Sequence, residues 1–171
     1  MDASQSSLLT IIHKYPVPIA SRMDVFAASA VARRKVGVAD HILEHTYPLV
    51  KDPKLLLSAL QNLSDAIDAG VEALLLQYGH EVPRSFGDRI EELRRVQRVP
   101  DGFVRFVNEV RDTLQDHRES PVEFVRSQRF VICDPDYRLR TLAEDQVKGY
   151  VRRAKVFIAM MEEKVHDAGL A

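Results

Sequence analysis

Apolar residues recur at helical spacing along most of the chain, and prolines punctuate the runs. From Asp24 to about His45, the positions Ala27, Val31, Val38 and Ile42 follow a three–four pattern that predicts a helix. Gly37 weakens its middle by about 1 kcal/mol relative to alanine. Thr46-Tyr47-Pro48 is expected to end it, because the residue before proline avoids the helical region. Asp52-Pro53 combines an N-cap with proline at the first helical position, so a second helix should start there. It runs to about Tyr78, with Leu56, Leu60, Leu63, Ile67, Gly70 and Leu74 along one stripe and Gly79 as its C-terminal cap. Ala59, Ala66 and Ala73 repeat every seven residues beside that stripe. Small residues at this spacing admit a close neighbour, either another helix of the same chain or a second copy.

After Val82-Pro83, Ser85 and Asp88 resemble a capping box that opens a short helix to about Arg98. Val99-Pro100-Asp101-Gly102 breaks it. A fourth helix should span about Gly102 to Arg118, with Phe103, Phe106, Val110, Leu114 and His117 on one face. Ser120-Pro121 repeats the cap-plus-proline signal and predicts one more helical turn through Phe124. Phe130-Val131-Ile132-Cys133 is β-rich, Asp134-Pro135-Asp136 is turn chemistry, and Tyr137 to Leu142 alternates at period two. These segments predict a two-stranded hairpin. A last helix, about Ala143 to His166, carries Val147, Tyr150, Val151, Ala154, Phe157, Ile158, Met161 and Val165. The expected fold is all-α: an antiparallel bundle of about five helices with a small hairpin before the last. The expected organisation is an irregular N-terminal arm over residues 1–22 and a single domain over 23–171.

Composition narrows the chemistry. At 171 residues and 46% hydrophobic, one core suffices. A single cysteine excludes a disulfide scaffold or a cysteine-rich metal site, and fits a reducing, cytoplasmic setting. No apolar run approaches the ~18 residues of a membrane span, and no secretory signal is expected at the N-terminus. Arginine is concentrated after residue 83, yet residues 84–171 hold 17 Lys+Arg against 16 Asp+Glu, so neither half is a strong electrostatic field. No glycine-rich phosphate loop, Walker lysine, dinucleotide fingerprint or nucleophile elbow is present, and no cofactor is expected.

Three blocks resemble a family of small archaeal helical proteins of about this length. They are Thr46-Tyr47-Pro48-Leu49-Val50-Lys51-Asp52-Pro53-Lys54-Leu55-Leu56-Leu57, Ser120-Pro121-Val122-Glu123-Phe124, and Phe130 to Asp134 continuing to Tyr137-Arg138. That family brings no assigned activity. More distantly, the bundle is similar to the HEPN group, which includes RNA-cutting toxins and non-catalytic helical modules. The toxins typically dimerise and carry an Arg, four to six residues and a His. The resemblance implies Arg111 and His117 as a ribonuclease pair, the arginine stabilising phosphate charge and the histidine moving protons. Arg34 and His41 also fit the spacing. With 17 Arg and 6 His, roughly two such matches arise by chance. On a regular helix, six residues also rotate by about 240°, so Arg111 and His117 would need a bend to converge.

Other constellations are weaker. His41-Ile42-Leu43-Glu44-His45 matches the inverted zinc-protease motif, with Glu119 or Glu123 as candidate third ligands, but it sits at a helix end and is easily met by accident. Asp65, Asp68 and Glu72 share a helix face without the Glu-x-x-His pair of di-metal bundles. No metal is expected. Cys133 reads as a buried, inert thiol. Tyr137, Arg138 and Arg140 with Arg126 and Arg129 form the densest cationic cluster around aromatics, a candidate anion or RNA contact. The leading expectation is a non-enzymatic binding or assembly module that forms homodimers. The alternative is a HEPN-type RNA-binding protein or metal-independent ribonuclease using Arg111 and His117.

Overall fold

The computed structural model describes residues 19–167. Most of the expected arm, residues 1–18, lies outside them. Residues 19–22 are already helical, so the first helix starts earlier than its apolar pattern suggests. Helix α1 is Ile19–His41 and continues without a break through a π-helical stretch, Ile42–Thr46, and a last α turn, Tyr47–Val50. Helices α2 (Lys54–Gln77), α3 (Phe86–Val96) and α4 (Asp101–Glu119) follow. Three strands, β1 (Val122–Arg126), β2 (Arg129–Cys133) and β3 (Leu139–Leu142), then precede α5 (Glu144–Asp167).

The expected end of α1 at Tyr47-Pro48 is corrected by the π stretch. A proline inside an α-helix clashes with the carbonyl four residues back. Here the chain takes a wider turn first: the Tyr47 N–H reaches back five residues to Ile42 O. Pro48 then lies in the first turn of renewed α-helix, where its missing N–H is no loss. The rod ends at Lys51, whose left-handed backbone (φ 55°) lets its N–H bond Tyr47 O.

Three other local expectations hold. The Asp52 carboxylate accepts the Lys54 N–H at 2.9 Å, and its carbonyl accepts the Leu55 N–H. Ser85 Oγ accepts the Asp88 N–H and donates to the Asp88 carboxylate. Gly79, at φ +74°, closes α2 with paired bonds from Gly79 to Leu76 and from His80 to Leu75.

The bundle is knit around α2. Leu56, Leu60, Leu63, Ile67 and Leu74 are buried. So are Ala59, Ala66 and Ala73, and the alanine stripe therefore packs inside the chain. Helix α1 runs antiparallel to both α2 and α5. Lys35 pairs with Asp65 across the first contact, while Arg33–Glu162, Asp40–Lys155 and Glu44–Lys148 ladder the second. Gly70 faces α5 so closely that a Cβ there would lie 2.7 Å from the Phe157 ring and 2.9 Å from Ile158 Cδ1.

The predicted hairpin is a three-stranded antiparallel sheet in the order β1-β2-β3. The segment after Ser120-Pro121, expected as a helical turn, is strand β1. Ser120 is extended (φ −64°, ψ 121°), and its hydroxyl reaches the carbonyl oxygens of Val122 and Cys133 instead of capping a helix. Ser127 and Gln128, both at positive φ (50° and 58°), form the two-residue turn between β1 and β2. Two left-handed residues match the right-handed twist of the flanking strands.

Gly70→Val should destabilise the fold by about 1–3 kcal/mol through overpacking against Phe157 and Ile158. A Gly70→Val/Phe157→Ala double variant should lose less than the sum of the two singles, because removing the ring makes room. Urea unfolding followed by circular dichroism checks both.

Candidate functional site

The sheet has two unlike faces, set by its register. Val125 opposes Phe130, which opposes Leu142; Glu123 opposes Ile132, which opposes Arg140. This inner face meets α4. The His117 ring stands edge-on to Phe130 and its Nδ1 bonds the Glu123 carboxylate, while Arg140 pairs with Asp116. Phe130, Ile132 and Leu142 belong to the main core.

The outer face carries the alternate residues. Across the strands lie Val122, Cys133 and Leu139, then Phe124, Val131 and Thr141, then Arg126 and Arg129. Val131 and Cys133 are buried but stand apart from the main core. Val122, Phe124 and Leu139 are 54%, 39% and 64% exposed. All five residues of β1 are exposed, although three are apolar. A sheet that rests one face on a bundle normally alternates apolar-in with polar-out. This one is apolar on both.

The sequence-predicted residues fall elsewhere. Arg111 and His117 both lie on the regular helix α4. Six residues of such a helix separate them by about 9 Å along the axis as well as in direction. Arg111 lies over the Phe86 ring at the start of α3, 5.0 Å from its centroid, whereas His117 bonds Glu123 on β1. Within one chain the two are held by different neighbours. Arg34 and His41 are exposed on α1.

His41 and His45 bring their ring centroids to 4.9 Å. Glu44 between them pairs with Lys148, Glu123 is engaged by His117, and Glu119 accepts from Gln115. Among the described residues, no three His, Cys, Asp or Glu side chains gather as a metal-binding group. The acidic face of α2 is occupied by cations: Lys35 holds Asp65, and Arg89 holds Asp68 at 2.8 Å and Glu72 at 3.5 Å.

The cationic cluster divides. Arg138 and Arg140 line an open cleft of about 450 Å³ between β3 and α4, together with Asp112, Gln115, Asp116, Asp134 and Leu139. Carboxylates there offset the arginines. Arg126 and Arg129 sit at the far end of the sheet, directly opposite one another. Among the described residues neither has an ion-pair partner.

Tyr47 ties the bundle to this sheet. Its buried hydroxyl donates to the Gln128 carbonyl in the β1–β2 turn at 3.5 Å. Burial pushes its phenol pKa up, and the Glu144 and Asp52 charges push it further.

The described residues thus form a bundle of five helices bearing a three-stranded sheet whose outer face leaves Val122, Phe124 and Leu139 exposed. Comparison with protein-family models, with curated proteins and with solved structures found no match. Among the described residues, no helix is long and apolar enough to cross a membrane.

The raised Tyr47 pKa predicts an alkaline limit to stability. The unfolded phenol ionises near pH 10, while the folded one resists. The stabilisation is therefore complete below about pH 10 and is lost as pH rises through the higher folded value. Tyr150, also raised by burial, acts in the same direction. Denaturant titrations at increasing pH should show this fall, and Tyr47→Phe should make it shallower.

Proposed function

We propose that the protein is a non-enzymatic assembly module that forms homodimers through the outer face of its sheet. One observation carries this reading: Val122, Phe124 and Leu139 stand exposed around the buried Val131 and Cys133, on the face turned away from the helices. Contiguous apolar surface of this kind marks interaction sites in stable monomers.

The alanine stripe, the other candidate for self-association, lends no support because the bundle consumes it. The assembly function therefore rests on the sheet. Three strands of about five residues cover roughly 15 by 17 Å. That is well below the about 800 Å² per partner of a standard stable interface. The dimer should be reversible and concentration-dependent.

Sedimentation velocity across a concentration series tests the proposal. Wild-type protein should shift from monomer to dimer, and Phe124→Asp should weaken association at least ~10-fold, the cost of losing one well-placed apolar contact at the centre of an interface. Circular dichroism should show that the variant is folded. The same preparations are incubated with labelled RNA and are expected to leave it intact. Cleavage that disappears in His117→Ala would replace this reading with the ribonuclease one.

A further inference from the structure

A second apolar surface, distinct from the sheet, lies where α1 begins. An open groove of about 360 Å³ runs between the first turns of α1 and the last turns of α2. Ala27, Val31, Ala69 and Leu76 line it, and Asp24 and Glu72 are its charged groups. Met23, Phe26 and Ala30 are exposed on the same turns of α1, so the apolar surface continues out of the groove. Further along that helix face the exposed residues become polar, at Arg34 and His41. Asp24 has no ion-pair partner among the described residues, and Glu72 is met by Arg89 at 3.5 Å. The groove is therefore apolar with a negative rim, and only at the end of α1 where the preceding chain enters.

The sequence ahead of α1 is complementary to it. Leu8-Leu9-Thr10-Ile11-Ile12 is apolar at four of five positions, and the cationic Lys14 follows beside His13. Pro16 and Pro18 disfavour helix at Tyr15 and Val17, which opposes a simple continuation of α1 backwards. The connection is long enough for a reversal. Seven residues from Ile12 to Ile19 reach up to about 23 Å when extended, while Val31 lies about 18 Å along α1 from Ile19. A tether this short also gives the segment an effective concentration of order mM at the groove. We propose that residues 8–12 of this chain fold back and dock in the α1–α2 groove, their leucines and isoleucines covering Ala27 and Val31, with Lys14 beside Asp24 and Glu72. The occupant is the chain's own segment, and the proposal is independent of assembly through the sheet.

Proteolysis of the full chain tests it. A lysine-specific protease should cut after Lys14 only when the segment is out of the groove, and at low protease the rate follows the open population. Ile11→Asp/Ile12→Asp should speed this cut at least ~10-fold, because it removes two apolar side chains that docking would bury. Ala27→Arg, at an exposed position in the groove wall, should speed it at least ~10-fold as well, by filling the groove and repelling Lys14. Rates are normalised to those of matching free peptides, and circular dichroism shows that both variants are folded. In a Cys133→Ala background, a nitroxide on Ser7→Cys should selectively broaden the amide signals of Ala27, Val31 and Leu76 of the same molecule.

Equal normalised rates in wild type and both variants overturn the proposal. So does acceleration by the Ile11→Asp/Ile12→Asp variant alone, which would seat the segment elsewhere on the molecule. Broadening of equal strength when spin-labelled chains are mixed with separate isotope-enriched ones gives the groove to the segment of a second copy, and overturns docking within one chain.

Discussion

Gly70 meets the Phe157 ring with no side chain between them, and Ala59, Ala66 and Ala73 are likewise buried along α2. This close approach governs the rest of the molecule. A central helix built from small residues can be touched on several sides at once, so α1 and α5 both lie against it. With α1 antiparallel to α5, ion pairs at three levels bridge the two outer helices. The platform so formed leaves α4 to carry the sheet at the side. The sheet needs that support, because three short strands are marginal without a packed face. His117, Glu123, Asp116 and Arg140 are part of this docking of sheet to helix, which is why α4 offers structural contacts where its sequence suggested chemistry.

Much of the helical framework was legible because local signals and tertiary packing agree. Asp52, Ser85 and Gly79 do at the helix ends what their chemistry favours, and the stripe of α2 is buried as its spacing implies. The failures lie where one signal has two physical outcomes. Serine before proline can cap a helix, or it can hold the start of a strand by donating to a neighbouring carbonyl. Ser120 does the second, and its partner Cys133 is thirteen residues away. Tyr47-Pro48 failed for a different reason: the local preference against helix before proline was overridden by burial of Tyr47 and by the π stretch ahead of it.

The candidate site was largely hidden for the same cause. The outer face exists only if β1 exists, and the turn that joins β1 to β2 is Ser127-Gln128, without the Gly or Asn that usually marks two left-handed residues. The β-rich run Phe130–Cys133 was visible, as was the burial of Cys133. Which of its faces would be covered was not visible, since that depends on register against two neighbours. The spacing of Arg111 and His117 was equally visible but carried little information, and their separate packing on Phe86 and Glu123 depends on elements remote in sequence.

The π stretch in α1 amounts to one extra residue threaded into an otherwise α-helical rod. Each residue turns an α-helix by about 100°. The insertion therefore sets the bearing of everything between Ile42 and the end of the rod relative to everything before it. With it, Tyr47 points into the core and reaches Gln128 in the sheet, while His45 faces outward. The same residues wound as unbroken α-helix would carry the tyrosine about 100° around the axis and away from its pocket. The wide turn absorbs its extra residue locally: with one residue fewer in Ile42–Thr46, the Tyr47 N–H would meet the same Ile42 carbonyl as an ordinary α-helical bond, and the tyrosine would keep its pocket.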